Sequence, residues 1–303
     1  MWLPSAGHVA LAGFVASALY VHFRGRDRFP IVRALTSYLV LLAPYNALMY
    51  LFSRVPAKAY LDVADFPELA PLAENWRTIR DEALRLAEDG AIRAATGYND
   101  IGFNSFFRTG WKRFYLKWYG VEQPSARAAC PRTVALLDAI PSVKAAMFAS
   151  LPPGARLVRH RDPFAGSVRY HLGLATPNDE RCFIVVDGER HAWHDGEPVM
   201  FDETFIHYAE NGTDRQRIIL FCDVDRPLTS PLLARFNRWF GAHVMRASAT
   251  ENVPGEAVGF VNRVFAQFYR LRLWAKALKA KSRTAYYALK WAIVGGLVWL
   301  VFL

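Results

Sequence analysis

Between Leu157 and Val224 the chain runs through short apolar segments such as CFIVV and RIILFCDV, punctuated by Asp-Gly pairs at Asp187-Gly188 and Asp195-Gly196. Asp-Gly suits a tight hairpin because both central residues of a type I′ turn need positive φ. Several hairpins in succession leave an antiparallel sandwich or barrel as the natural architecture. Upstream, Leu72, Trp76, Ile79, Ala83 and Leu86 recur at steps of four and three, which predicts one amphipathic helix. Residues 98–120, YNDIGFNSFFRTGWKRFYLKWYG, read as aromatic strands with turn residues between them. After Pro227, Leu232, Leu233, Phe236, Trp239 and Phe240 interleave with Arg235 and Arg238. That pattern fits a basic amphipathic helix, either packed on the domain or lying on a membrane surface.

The ends of the chain are apolar. A stretch from Val9 to Phe23 is followed by Arg24-Gly25-Arg26-Asp27-Arg28. A cleavable signal carries its basic residues before the apolar run, so the reversed order predicts a retained segment. A second stretch, Ala34 to Phe52, has about the length that crosses a hydrocarbon core, although Pro44 and Asn46 interrupt it. At the far end six basic residues from Arg270 to Arg283 precede TAYYALKWAIVGGLVWLVFL. The positive-inside rule assigns that cluster to the cytoplasm and the tail to the membrane. The net charge of +10 is then a charge for an anionic lipid surface, with no nucleic acid and no protein partner expected. The division expected is membrane-associated segments over 1–55, a helical region over 56–97, a catalytic domain over 98–228, basic amphipathic helices over 229–283 and a membrane helix over 284–303. Cys130, Cys182 and Cys222 have no metal-binding spacing and cannot all pair, which points to a reducing compartment, and Cys182 and Cys222, in apolar runs, are expected to pack in the core.

His160-Arg161-Asp162 follows LVR, and in an extended chain residues i and i+2 share a face. Imidazole and carboxylate then converge, and His207 in FDETFIHYAEN is the candidate third ligand. Two histidines and one carboxylate on one face of an octahedral ion leave three positions open, the arrangement of non-haem Fe(II) oxygenases. Arg217, and Arg169 with His171 on VRYHLGL, supply cationic and polar groups nearby. A dicarboxylate that chelates a metal at one end needs such a guanidinium at the other. A bare HxD spacing also arises by chance around hydrogen-bonded structural histidines, so the arginines are what favour chemistry over packing.

Other constellations are poorer. His191 and His194 flank a turn without a third partner and read as loop residues. No G-x-S-x-G, G-x-G-x-x-G or G-x-x-x-x-G-K-[ST] occurs, which disfavours serine hydrolysis and nucleotide chemistry of those types. Asp202 and Glu203 read as residues that shape the turn into His207, with Asp202 a candidate support for the metal ligands.

The segments SFFRTGWKRFYLKWYG, IPSVKAAMFASLPPG, HRDPFAGSVRYHLGLATPND and FDETFIHYAENGTDRQRIILFCDVDRP resemble the aspartyl/asparaginyl β-hydroxylase family of 2-oxoglutarate-dependent dioxygenases. The likeness is greatest to a bacterial branch that hydroxylates an acyl chain of lipid A, the anchor of lipopolysaccharide. It implies a mainly β catalytic core with a double-stranded β-helix, or jelly roll, flanked by α-helices and membrane-associated apolar helices. It implies Fe(II) on His160 and His207, 2-oxoglutarate on Arg169, His171 and Arg217, and O₂ as the second cosubstrate. Animal members that hydroxylate proteins carry glycine where this chain has Asp162, so Asp162 as a ligand rests on the bacterial branch and on the spacing. The resulting expectation is C2 hydroxylation of a lipid A acyl chain at the cytoplasmic face of a Gram-negative inner membrane. The alternatives are hydroxylation of another acyl lipid, hydroxylation of Asp or Asn side chains in a protein, and a barrel kept as a non-catalytic membrane module.

Overall fold

The computed structural model describes residues 6–35, 37–95 and 98–302. Ten strands carry the architecture: β1 (Tyr60–Leu61), β2 (Lys112–Trp118), β3 (Val143–Leu151), β4 (Arg156–His160), β5 (Ser167–Ala175), β6 (Cys182–Val186), β7 (Glu189–Ala192), β8 (Pro198–Phe201), β9 (His207–Asn211) and β10 (Arg217–Asp225). They form a six-stranded sheet in the order β1-β8-β5-β10-β3-β2 and a four-stranded sheet in the order β4-β9-β6-β7, with every neighbour antiparallel. From β3 onward the chain passes back and forth between the two sheets, except at the β6–β7 pair within the small sheet, so most sequence neighbours face each other across a common interior. The mainly β, antiparallel expectation is met.

Among the described residues ten α-helices accompany them: α1 (Ala6–Phe23), α2 (Ile31–Leu35), α3 (Ala43–Leu51), α4 (Ala70–Glu74), α5 (Trp76–Glu88), α6 (Pro124–Ala129), α7 (Pro131–Asp138), α8 (Pro231–Phe240), α9 (Phe260–Lys281) and α10 (Arg283–Phe302). The large sheet is apolar on both faces. Met147, Ala149, Ile219 and Phe221 point to the interior between the sheets, where Ile184 and Ala209 of the small sheet meet them. The alternate residues Phe148, Leu172, Leu220 and Cys222 point outward and are covered by Leu72, Ile79, Ala83 and Leu86. The predicted amphipathic helix is thus real but broken at Asn75, into α4 and α5. Its large apolar side chains are each worth roughly 1.5–3 kcal/mol of burial.

Turn chemistry behaves as the sequence predicts at one pair and differently at the other. Asp187 and Gly188 have φ of 50° and 87° and close the β6–β7 hairpin. Gly196 has positive φ, whereas Asp195 forms a bridge to Gly173 and lies in a longer connection. Gly173 is required on β5: a Cβ there would fall 1.9 Å from the His194 carbonyl oxygen. Residues 98–120 hold only one strand, β2, because Phe103 to Thr109 form turns that fold aromatic rings over the end of the sandwich. All three cysteines are free and buried.

The expected membrane segments are corrected. Among the described residues no helix is long and apolar enough to cross a membrane. The stretch from Ala34 to Phe52 breaks into α2, a 3-10 turn and α3, and α3 buries Tyr45, Asn46, Met49 and Tyr50 against the sandwich. Its polar interruptions explain why. Pro44 occupies the first turn of α3, where no backbone donor is lost. Asn46 donates to the Pro163 carbonyl at 2.9 Å and accepts from the Ala165 amide at 3.0 Å, anchoring the loop after β4. The basic loop after α1 also faces the protein. Arg24 is held by Asp202 at 2.6 Å and lies over the rings of Tyr50 and Phe205. In α10, Arg283 and Lys290 place charges in the first half of the helix. Side chains toward the end of α10 lie outside the described residues.

Candidate metal centre and its cavity

Strands β4 and β9 are neighbours, and their register sets His160 directly opposite His207. Each ring turns back on its own strand. His160 Nδ1 lies 2.7 Å from the Val158 carbonyl and His207 Nδ1 lies 2.9 Å from the Phe205 carbonyl, in both cases two residues earlier. A carbonyl only accepts, so both Nδ1 atoms carry the proton and both Nε2 atoms present lone pairs. Asp162, just past the end of β4, is fixed by its amide donating to the Glu203 carbonyl at 2.9 Å. One carboxylate oxygen lies 3.8 Å from His160 Nε2, and ligand atoms of all three residues lie within 4.8 Å of one another.

The charge states suit a divalent cation. Burial, and then the neighbouring His160, depress His207 to about 3. Burial also lowers His160. Burial opposes ionisation of Asp162, but Arg169 with the two imidazoles outweighs it and holds the carboxyl below its usual range. Near neutral pH the cluster is two neutral imidazoles and one carboxylate, the protonation that metal ligation requires.

The cluster opens into a cavity between the sheets, about 480 Å³ including its open mouth, whose walls include all six residues singled out in the sequence: His160, Asp162, Arg169, His171, His207 and Arg217. Aromatic side chains fill much of the remaining wall, with Phe106 edge-on to His160 at 4.7 Å between ring centres. Arg217 enters from the start of β10, is only 2% exposed and has no ion pair or side-chain hydrogen bond among the described residues. Its guanidinium carbon lies 4.3 Å from the centre of the Trp193 ring, and burial lowers its pKa to about 10. Trp193 Nε1 and both ring nitrogens of His171 are likewise buried without partners. Buried donors without acceptors cost about 1–3 kcal/mol each, and more for a charge. This part of the wall is therefore suited to an anionic, hydrogen-bond-accepting molecule.

Arg169 is placed differently from expectation. It lines the same cavity, but Nη2 donates to Asp162 at 2.8 Å and Nε to Asp223 at 2.9 Å, with Phe221 stacked on its face. Its charge is shared between two carboxylates. Asp223 also accepts from the Tyr119 hydroxyl at 3.0 Å. Sequence reasoning missed Asp223, Tyr119 and Trp193. A signal existed for Asp223, an acid within the apolar run RIILFCDV that the β10–β5 register sets opposite Arg169. His191 and His194 lie outside the cavity wall, His191 against Tyr60 and His194 beside Glu180. Asp202 shapes the turn before β9 through Thr204 and is clamped by Arg24 and Arg226.

Glu203 is a buried carboxyl whose Oε2 has no partner, while Oε1 accepts from Ser167 at 2.7 Å. Burial pushes it up to about 8, only partly offset by Arg169. Between the ordinary glutamate value and about 8 the folded state holds a proton that the unfolded state has lost, so stability falls as pH rises through that window. Glu203→Gln is expected to flatten this slope. Thermal melts at pH 5.5 and 8 check it, and an unchanged difference in Tm between wild type and variant would contradict the assignment.

A family model described as aspartyl/asparaginyl beta-hydroxylase matches residues 73–227, just over half of the chain. The ornithine lipid ester-linked acyl 2-hydroxylase of Rhizobium tropici is 36% identical over 184 residues, covering 59% of this chain and 63% of that protein. The aspartyl/asparaginyl beta-hydroxylase of Homo sapiens is 28% identical over 165 residues, 53% of this chain and 21% of that protein. The chain thus spans less than two thirds of these relatives. Among solved structures, a Pseudomonas putida prolyl-4-hydroxylase overlaps 51% of this chain and 88% of its own, with 21% identity and a TM-score of 0.35.

Proposed function

Because the chain belongs to the aspartyl/asparaginyl beta-hydroxylase family, we propose that it is an Fe(II)- and 2-oxoglutarate-dependent dioxygenase that hydroxylates C2 of an acyl chain on a polar membrane lipid. The observation that carries this reading is Arg217, a buried guanidinium without a counter-ion among the described residues, in the same cavity as the histidine–aspartate cluster. The eight strands from β3 to β10 are read as the double-stranded β-helix, with 98–228 as its catalytic unit.

His160, Asp162 and His207 would hold the metal, and Arg217 with His171 and Trp193 Nε1 would hold 2-oxoglutarate. When bound, iron with 2-oxoglutarate and O₂ supplies the oxidising power for inserting oxygen into a C–H bond. The chain supplies placement and dryness. The Nδ1 bonds of His160 and His207 keep both rings turned so that Nε2 faces the open centre. Arg169 keeps Asp162 ionised and oriented. Phe106 and the other aromatic walls exclude water from the reacting centre and give an acyl chain an apolar surface.

Two acyl lipids compete as substrate. The motif likeness favours lipid A, and the Rhizobium relative acts on ornithine lipid. Expression in a host that makes both lipids without 2-hydroxylation decides between them by mass spectrometry. A gain of one oxygen is expected on one lipid's acyl chain. An increment on neither, with folded and iron-loaded protein, together with turnover of an Asp- or Asn-containing peptide, would favour the protein-hydroxylase reading instead.

A lipid substrate requires contact with a bilayer, which we assign to the cytoplasmic face of an inner membrane. Leu11 on α1, Leu232 and Trp239 on α8, and Phe268 and Trp274 on α9 are exposed, and Arg270, Arg272 and Lys276 are interleaved on α9. Apolar side chains with a basic collar suit a surface contact with anionic lipid. Flotation with vesicles containing phosphatidylglycerol is expected to recover the protein and to weaken in 0.5 M salt, where the Debye length shrinks to roughly 4 Å from about 30 Å in dilute buffer. Equal recovery with neutral vesicles would remove the electrostatic part.

A further inference from the structure

A second cleft lies on the reverse side of the segments that carry the metal residues. Side chains alternate along the end of β4: His160 and Asp162 line the central cavity, whereas Arg161 between them lines the cleft. The same division holds before β9, where Phe205 and Ile206 line the cleft and His207 the cavity. The opposite wall is the end of α1, with His22, and the segment after it, with Arg24, Asp27 and Arg28. The cleft is about 360 Å³ including its open mouth.

Its charge is unbalanced. Arg24 is committed to Asp202, and Asp27, the one acid in the wall, is paired with Arg159. Arg161 has neither an ion pair nor a side-chain hydrogen bond among the described residues. Arg28 donates only to the backbone carbonyls of Gly25 and Phe23. His22, 8% exposed, has no hydrogen-bond partner among the described residues, and its pKa is lowered by burial, then by Arg161 and Arg28. Two guanidinium groups and a buried imidazole therefore converge without a carboxylate to meet them. Such an arrangement is held together at lowest cost by an oxyanion, which a guanidinium binds through paired hydrogen bonds.

We infer that this cleft binds a phosphate- or carboxylate-type oxyanion through Arg161, Arg28 and His22, and that the oxyanion is part of the headgroup of the lipid substrate. The second half of the inference rests on the acyl-lipid reading above. C2 of an acyl chain is one bond from the ester or amide carbonyl, so the polar headgroup must lie within a few bonds of the oxidised carbon. The cleft takes its wall from the same two segments that carry the metal residues, Arg161 between His160 and Asp162 and Ile206 before His207, which places it beside them.

Binding and turnover separate the two halves. Calorimetry with inorganic phosphate on the full-length protein is expected to detect binding that Arg161→Gln abolishes and Arg161→Lys partly restores, with Arg28→Gln as a second variant should Arg161→Gln misfold. Phosphate binding that is absent from wild type, or equal in wild type and both glutamine variants, would overturn the site. In turnover, Arg161→Gln is expected to raise KM at least tenfold for lipid A and to leave KM for lipid A stripped of its phosphates and for 2-oxoglutarate unchanged. If Arg161-dependent phosphate binding is present but intact and dephosphorylated lipid A have the same KM, the cleft holds a free anion and the headgroup assignment fails. The phosphate arm keeps its meaning even if no lipid is turned over, so failure of the acyl-lipid reading is told apart from failure of the site.

Discussion

Arg217→Met is expected to raise the KM for 2-oxoglutarate about 100-fold while making the ligand-free protein more stable. The two effects have one cause. Arg217 is buried beside Trp193 with no carboxylate to offset its charge, and burial alone lowers its pKa to about 10. An uncompensated buried cation of this kind destabilises a fold by roughly 1–4 kcal/mol relative to an apolar side chain of similar volume. A guanidinium–carboxylate pair formed in the same dry wall is worth about 2–5 kcal/mol when one partner is removed, which covers the loss of affinity expected here. Stability would rise because the cation is gone, and cosubstrate affinity would fall for the same reason. Chemical denaturation without ligand and steady-state kinetics against 2-oxoglutarate read the two sides. A variant that is less stable and still saturates normally would show that Arg217 serves packing, and would remove the main support for the cosubstrate site.

Contrast with Arg169 shows what the sequence could and could not reveal about this wall. Both arginines stand among apolar strand residues and look alike as candidates for binding a carboxylate. The register of β5 on β10 gives Arg169 an internal partner in Asp223, and the bend after β4 gives it Asp162. Arg217 has neither. The difference depends on pairing across distant strands, which local pattern does not encode. The metal residues were legible because their geometry is mostly local: the i, i+2 spacing of His160 and Asp162 survives folding. His207 was reachable only as a distant third ligand of the right type.

The stretch from Ala34 to Phe52 was misread for a related reason. Hydropathy scores the transfer of side chains out of water and is indifferent to whether lipid or protein receives them. Tyr45, Met49 and Tyr50 look as apolar packed under the sandwich as they would in a bilayer. Asn46 was the discriminating residue, since its amide needs fixed partners and finds them in Pro163 and Ala165. Arg24 likewise reads as one member of a basic loop until Asp202, far along the chain, is brought against it. The β6–β7 hairpin, by contrast, was written in Asp187-Gly188 because a two-residue turn leaves nothing for distant sequence to decide.

His207→Ala and Asp162→Ala are expected to differ in a way that tests the ligand set rather than the fold. His207→Ala removes a neutral donor whose Nδ1 is already committed to the Phe205 carbonyl, and leaves no group within the cluster to replace it. Loss of one of three protein ligands should cost at least about 100-fold in metal affinity and reduce turnover to background, by comparison with the 10–100-fold penalties for supporting residues alone. Asp162→Ala removes a charge as well as a ligand, and Arg169 then has only Asp223. Its guanidinium would be drawn away from the cavity or would meet the metal as a like charge, so metal affinity should fall further than for the histidine. Arg169→Met made together with Asp162→Ala removes that liberated cation. The double variant should therefore bind Fe(II) or Co(II) more tightly than Asp162→Ala alone, a coupling of opposite sign to simple additive damage. Metal titration monitored by Co(II) absorption reads all four proteins without requiring activity. If Asp162→Ala keeps wild-type affinity, the aspartate is a partner of Arg169 only, and the centre is carried by the two histidines.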